Sequence, residues 1–111
     1  MAKAPKVERK LVAIMFTDIV GYTEQMSKDQ NTAFILLEEK QSKLKPLIKE
    51  HNGKLVKEMG DGTLSHYPTA VDASKCSVKL QKLIKDNDQL NIRVGIHLGD
   101  TTFKGGDVFG D

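Results

Sequence analysis

Residues 11–16, LVAIMF, form an unbroken apolar run that turns polar at Thr17-Asp18. Such a run predicts a strand buried on both faces. The period then lengthens. Over residues 29–50, Phe34, Leu37, Leu44, Leu47 and Ile48 recur at helical spacing and predict the inward face of a long helix. Ser27 or Asp29 is the expected cap. Pro46 predicts a kink or a local break, and His51-Asn52-Gly53 a stop, with Gly53 suited to the left-handed position. Residues 54–59 and 63–67 read as two short strands joined at Gly60-Asp61-Gly62, and Asp-Gly between strands is a hairpin signal. A second helix over about residues 69–86 uses Ala73, Cys76, Leu80, Leu83 and Ile84. Residues 90–98 alternate as a fourth strand, followed by a glycine-rich tail over residues 99–111.

The order β-α-β-β-α-β is the split pattern of ferredoxin-like α+β folds. Right-handed crossovers then give an antiparallel sheet of order 4-1-3-2. The domain expected to carry it spans residues 10–111, behind a tail of residues 1–9. This topology has a chemical consequence. The first strand ends beside the beginning of the third, so Asp18 and Asp61 should share one end of the sheet. The fourth strand also runs opposite to the first and brings Arg93 to that end.

Composition narrows the partners. With 111 residues, 39% hydrophobic and 29% charged, the chain suits one soluble domain able to build a core. Its net charge of +2 has the lysines spread among acids, which argues against nucleic-acid binding. The cluster Lys3, Lys6, Arg9 and Lys10 reads as a solvated tail. No apolar run approaches a membrane span, and residues 1–10 hold no signal-peptide stretch. The single Cys76 excludes an internal disulfide and fits a reducing, cytoplasmic setting. Its helical spacing with Ala73, Leu80 and Leu83 makes it a packing residue.

Two carboxylates held close together repel unless a cation intervenes. Hard oxygen ligands of this kind suit Mg²⁺ or Mn²⁺, which keep waters and share phosphate oxygens with a substrate. Residues 19–23 open a short helical turn in which Gly21 removes side-chain bulk, so backbone N–H groups could cradle a phosphate. Arg93 could add a forked contact to the same phosphate. These features point to a metal-assisted nucleotide or phosphate site. A capping Asp18, a turn-forming Asp61 and a surface Arg93 would account for them equally well.

The stretches "FTDIVGYT", "LVKEMGDG", "IRVGIHLGD" and "GDVFGD" occur in this order and spacing. Together they resemble the catalytic domain of class III nucleotidyl cyclases over about residues 10–111. The resemblance implies that Asp18 and Asp61 hold two divalent ions, Mg²⁺ or Mn²⁺, with the Ile19 carbonyl as a further ligand. It implies a triphosphate cradle from the amides of Ile19, Val20, Gly21, Tyr22 and Thr23, with Arg93 as a phosphate-binding arginine. Lys57 and Asp107 match the two purine-reading positions. Lysine can donate to adenine N1 and aspartate can accept from the exocyclic amine, whereas guanine reverses both demands. The implied substrate is therefore ATP and the implied product 3′,5′-cyclic AMP with pyrophosphate. In the family the site lies between two domains. A chain with both sets of residues implies a symmetric homodimer.

The chain also departs from the family. Relatives carry, beyond the position of Asp111, an asparagine for the ribose, an arginine for the transition state and a lysine for the triphosphate. The expectation is a C-terminally incomplete domain, active in its parent and inactive as it stands. The alternatives are a non-catalytic, cyclase-like regulatory or dimerisation domain, or a guanylate cyclase. A diguanylate cyclase is disfavoured because its turn has consecutive acids after paired glycines, unlike Met59-Gly60-Asp61-Gly62. His66 and His97 are not read as metal ligands, His51 belongs to the helix stop, and Glu58 has no assigned role.

Overall fold

The structure, a computed structural model, describes residues 7–104 and 107–110, with the side chains of residues 10–100 and 102. The elements run β1 (Val7–Ile19), α1 (Tyr22–Lys28), α2 (Gln30–Glu50), β2 (Lys54–Met59), β3 (Gly62–Tyr67), α3 (Ala70–Ile84), β4 (Ile92–Lys104) and β5 (Asp107–Gly110). The sheet order is β2-β3-β1-β4-β5 and every pairing is antiparallel. Its first four strands have the expected 4-1-3-2 arrangement read from the other edge. The fourth strand was expected to end at residue 98, ahead of a glycine-rich tail. Instead β4 continues to Lys104, and β5 returns along it from Asp107 opposite Lys104 to Gly110 opposite Thr101.

The helices cover one face of the sheet. Ala13 and Met15 of β1 meet Leu44, Leu47 and Ile48 of α2 and Ala73, Cys76, Leu80 and Ile84 of α3 in the core. The other face has no such cover among the described residues. Phe16, which pairs with Leu64 on one side and Gly95 on the other, keeps 37% exposure. β1 is therefore buried on one face here, because both helical crossovers pack on the same side.

The inward face of α2 is also corrected. Ala33, Leu36, Lys40, Leu44, Leu47 and Ile48 point in, while Phe34 is 48% exposed and Leu37 only borders the core. The true stripe has a lysine at its centre, which hid it from an apolar count. Leu83 of α3 is likewise turned outward, and Ile84 takes the core place. The Asp29 side chain caps α2 by accepting from the amides of Asn31 and Thr32. α2 runs unbroken through Pro46, which sits on the exposed side where a carbonyl without its usual partner can face water.

At the end of α2 it is Asn52, not Gly53, that takes the left-handed backbone, with φ 62°. Gly53 is needed for room. A Cβ there would lie 2.4 and 2.7 Å from ring carbons of Tyr67. Its amide donates to the Ile48 carbonyl at 2.8 Å and closes the helix end.

Candidate active site

The last two residues of β1, Asp18 and Ile19, meet a neighbouring strand and a neighbouring turn. Asp18 lies opposite Arg93 of β4. Arg93 Nε donates to Asp18 Oδ1 at 3.1 Å and Nη2 to Oδ2 at 2.7 Å, a two-pronged contact. Asp18 keeps only 15% of its side chain exposed, whereas Arg93 keeps 72%. The hydrogen bond to Asp18, and then its charge, hold the Arg93 guanidinium further toward its protonated form.

Asp61 sits in the two-residue turn between β2 and β3, where Met59 pairs with Gly62. Gly60 precedes it with φ 59°, the positive value that a tight hairpin turn takes at its first position. Asp61 Oδ2 accepts from the Ile19 amide at 2.8 Å, so the turn is tied to the end of β1. The three expected side chains thus share one end of the sheet. They line an open groove of about 380 Å³ with residues 19–24.

Gly21 turns the chain from β1 into α1 with φ 75°, and its carbonyl accepts the first helical bond from Gln25. Two of the five expected cradle amides are already used. Ile19 donates to Asp61 and Val20 donates to the Asn91 carbonyl at 2.9 Å. Gly21, Tyr22 and Thr23 precede the first intrahelical donor and remain directed at the helix start. Of the five expected amides, these three have no backbone or side-chain acceptor among the described residues.

One residue of the site escaped the reading of the sequence. Lys40 of α2 is fully buried beneath the groove. Its Nζ donates to the carbonyls of Asp61 at 2.5 Å and Thr17 at 3.2 Å, and to Thr63 Oγ1 at 3.3 Å. Burial pushes its pKa down to about 8, against the opposing charges of Asp61, Asp18 and Glu58. Two side-chain cations thus lie near the acids, Arg93 on the Asp18 carboxylate and Lys40 on the Asp61 backbone carbonyl. A lysine inside an apolar helical stripe was the signal available in the sequence.

Other candidates fall elsewhere. Lys57 is exposed on β2 opposite Leu64 and does not line the groove, while Glu58 next to it bonds Lys45 at 3.1 Å on the helical side. Asp107 opens β5, and its side chain lies outside the described residues. His97 is exposed opposite Ile14. His51 Nδ1 bonds the Leu47 carbonyl at 2.7 Å at the end of α2. Cys76 is buried against Tyr67, with its thiol pushed up by burial. Among the described residues no three His, Cys, Asp or Glu side chains form a metal cage. A metal on Asp18 and Asp61 would have few protein ligands, all hard oxygens. That fits Mg²⁺ or Mn²⁺, which bind through one or two carboxylates and complete their shell with water and phosphate.

The fold is ferredoxin-like, and one end of its sheet sets two acids and an arginine around a groove at a helix start. Residues 5–105 match the family described as the adenylate and guanylate cyclase catalytic domain, and the chain belongs to it. It is 34% identical over its whole length to the putative adenylate cyclase 3 of Rhizobium meliloti, of which it spans 20%. It is 30% identical over 97% of its length to the serine/threonine-protein kinase pkn2 of Myxococcus xanthus, of which it spans 14%. Among solved structures, the adenylate/guanylate cyclase/hydrolase of Silicibacter pomeroyi superposes with a TM-score of 0.83 at 30% identity. That match covers 96% of this chain and 66% of the other. The chain thus corresponds to a small part of these curated relatives.

Proposed function

We propose that this chain carries the metal and phosphate residues of an adenylate cyclase domain that converts ATP to 3′,5′-cyclic AMP and pyrophosphate. One observation carries the reading: Asp18, Asp61 and Arg93 converge on a groove that opens on the amides of residues 21–23. When bound there, Mg²⁺ or Mn²⁺, two ions per site, would supply activation of the ribose 3′-hydroxyl and neutralisation of the leaving phosphates. Asp18 and Asp61 hold the ions, with the Ile19 carbonyl as a further ligand. The amides of Gly21, Tyr22 and Thr23 receive phosphate oxygens. Arg93 now occupies both oxygens of Asp18, and it would turn to the triphosphate when those oxygens serve as ligands.

Lys57 and Asp107 read the adenine from the partner subunit of a homodimer. Lys57 lies on the open face of the sheet near Phe16 and Leu64, away from the groove of its own chain. That uncovered face, with Phe16 and Met59 exposed, is the surface a second copy would cover. A cytoplasmic setting belongs to this reading, and ATP as substrate with an unpaired Cys76 supports it. Among the described residues no helix is long and apolar enough to cross a membrane.

Three measurements test the reading. With Mn²⁺, a non-hydrolysable ATP analogue should raise the Tm of this chain more than a GTP analogue does. A chimera with this chain in the matching stretch of a longer relative should then release cyclic AMP, quantified by mass spectrometry. In it, Lys57→Glu with Asp107→Cys should move the ATP-to-GTP ratio of kcat/KM toward GTP. An unmoved ratio removes both residues from purine reading, and no response to either nucleotide removes the cyclase assignment.

A further inference from the structure

We propose that Lys40 is a positioning residue of this site: its ammonium ties the backbone ahead of Asp18 to the backbone of Asp61 and so sets the spacing of the two carboxylates. The proposal deepens the cyclase reading, because it concerns the same pair of acids. Lys40 is fully buried on the stripe of α2 that packs on the sheet. An ammonium has three donors, and all three find acceptors here. One bond reaches β1 at the Thr17 carbonyl, one the hairpin turn at the Asp61 carbonyl, and one β3 at Thr63 Oγ1. Gln41 donates to the same hydroxyl at 3.3 Å and steadies it.

Asp61 is consequently held at two points. Lys40 draws its carbonyl inward, and the Ile19 amide holds its carboxylate against the end of β1. The turn around it would otherwise be loose, since Met59 and Gly60 are exposed. A leucine or methionine would fill the same place in the stripe without desolvating a charge, and buried ions often add nothing to stability. What the charge adds is contact with both backbones that bear the acids. Partners of this kind, one step removed from the ligands, typically change metal affinity by about 10- to 100-fold.

The test compares Lys40→Met with Leu47→Ala, a change on the same buried stripe without polar contacts to the site. Two quantities are read on the 111-residue chain well below each Tm. One is Mn²⁺ affinity from the free-ion electron paramagnetic resonance signal. The other is hydrogen exchange at the Ile19 amide, by NMR, relative to amides of α3. Lys40→Met should weaken Mn²⁺ binding by about tenfold or more and speed Ile19 exchange selectively. Leu47→Ala should lower Tm and change neither. If Lys40→Met does not fold, Lys40→Gln, which is polar and slightly shorter, takes its place with the same expectations. Wild-type Mn²⁺ affinity together with unchanged Ile19 protection would overturn the proposal. Absence of Mn²⁺ binding in the wild type would instead sink the metal reading, and Ile19 exchange alone would then decide the role of Lys40.

Discussion

Thr63, Ser65 and Tyr67 occupy successive inward positions of β3, all 1% exposed or less, yet the polar groups they meet differ in kind. At the first position the partner is the Lys40 ammonium. At the last, Tyr67 Oη lies 2.9 Å from Ser65 Oγ and 3.4 Å from Cys76 Sγ. Burial raises the pKa of both the Tyr67 phenol and the Cys76 thiol, so this second cluster stays neutral. The first holds a charge, and the acids at the end of the sheet are what oppose its loss. On one strand face, neutral polar groups serve packing, and the ionised group appears only where two carboxylates must be held.

The largest expected effect separates the clusters outright. Asp18→Ala and Asp61→Ala should each abolish the Tm increase that Mn²⁺ and an ATP analogue produce. Tyr67→Phe should leave that increase whole. If either aspartate variant keeps the full shift, the first cluster has no ligand to support.

Gly53→Ala strikes the neutral cluster by volume. Its new methyl would meet the Tyr67 ring, which is packed against the core and cannot retreat freely. Urea denaturation should show a loss of about 1–3 kcal/mol, with the response to Mn²⁺ and nucleotide preserved. Tyr67→Phe removes only a hydroxyl and should cost about 1 kcal/mol in the same experiment. A larger cost for Tyr67→Phe than for Gly53→Ala would show that hydrogen bonding, not ring packing, dominates this cluster.

The smallest effect concerns the opposite face of β3. Burial, with Lys54 and then Lys10 nearby, lowers the His66 pKa below its usual 6.5. Between that depressed value and 6.5 the unfolded chain binds more protons than the folded one, so stability rises with pH across this window. His66→Gln should flatten that part of a Tm-against-pH curve. An unchanged slope would assign it to other groups.

Much of this was legible in the chain. The strand and helix periods, the Asp-Gly turn and the polar end of the first apolar run were enough to bring Asp18, Asp61 and Arg93 to one end of an antiparallel sheet. They were legible because each is a local signal, and topology then follows from the handedness of crossovers. The misread elements are those in which a distant partner overrides the local pattern. Leu44, Leu47 and Ile48 of α2 face inward as expected, but ahead of Lys40 the inward residues are Ala33 and Leu36 in place of Phe34 and Leu37. The reason is that a lysine interrupts the apolar stripe, and only β1, β3 and the Asp61 turn supply the acceptors that make it tolerable when buried. Gly53 appeared to be a conformational stop, whereas its role is to leave space for Tyr67, fourteen positions later in β3.

The sequence by itself determined the order of the first four strands and the helices between them, their arrangement in the sheet and the family, because periodicity and turn chemistry act between near neighbours. In contrast, β5 was settled only by its pairing with β4. Tertiary structure alone decided that Ile19 and Val20 spend their amides inside the protein, that Arg93 grips Asp18 with both prongs, and that a lysine closes the floor beneath the two acids. The reason is physical. A hydrogen bond or a tolerated buried charge depends on which groups the whole chain brings within about 3 Å, and no local window contains that distance.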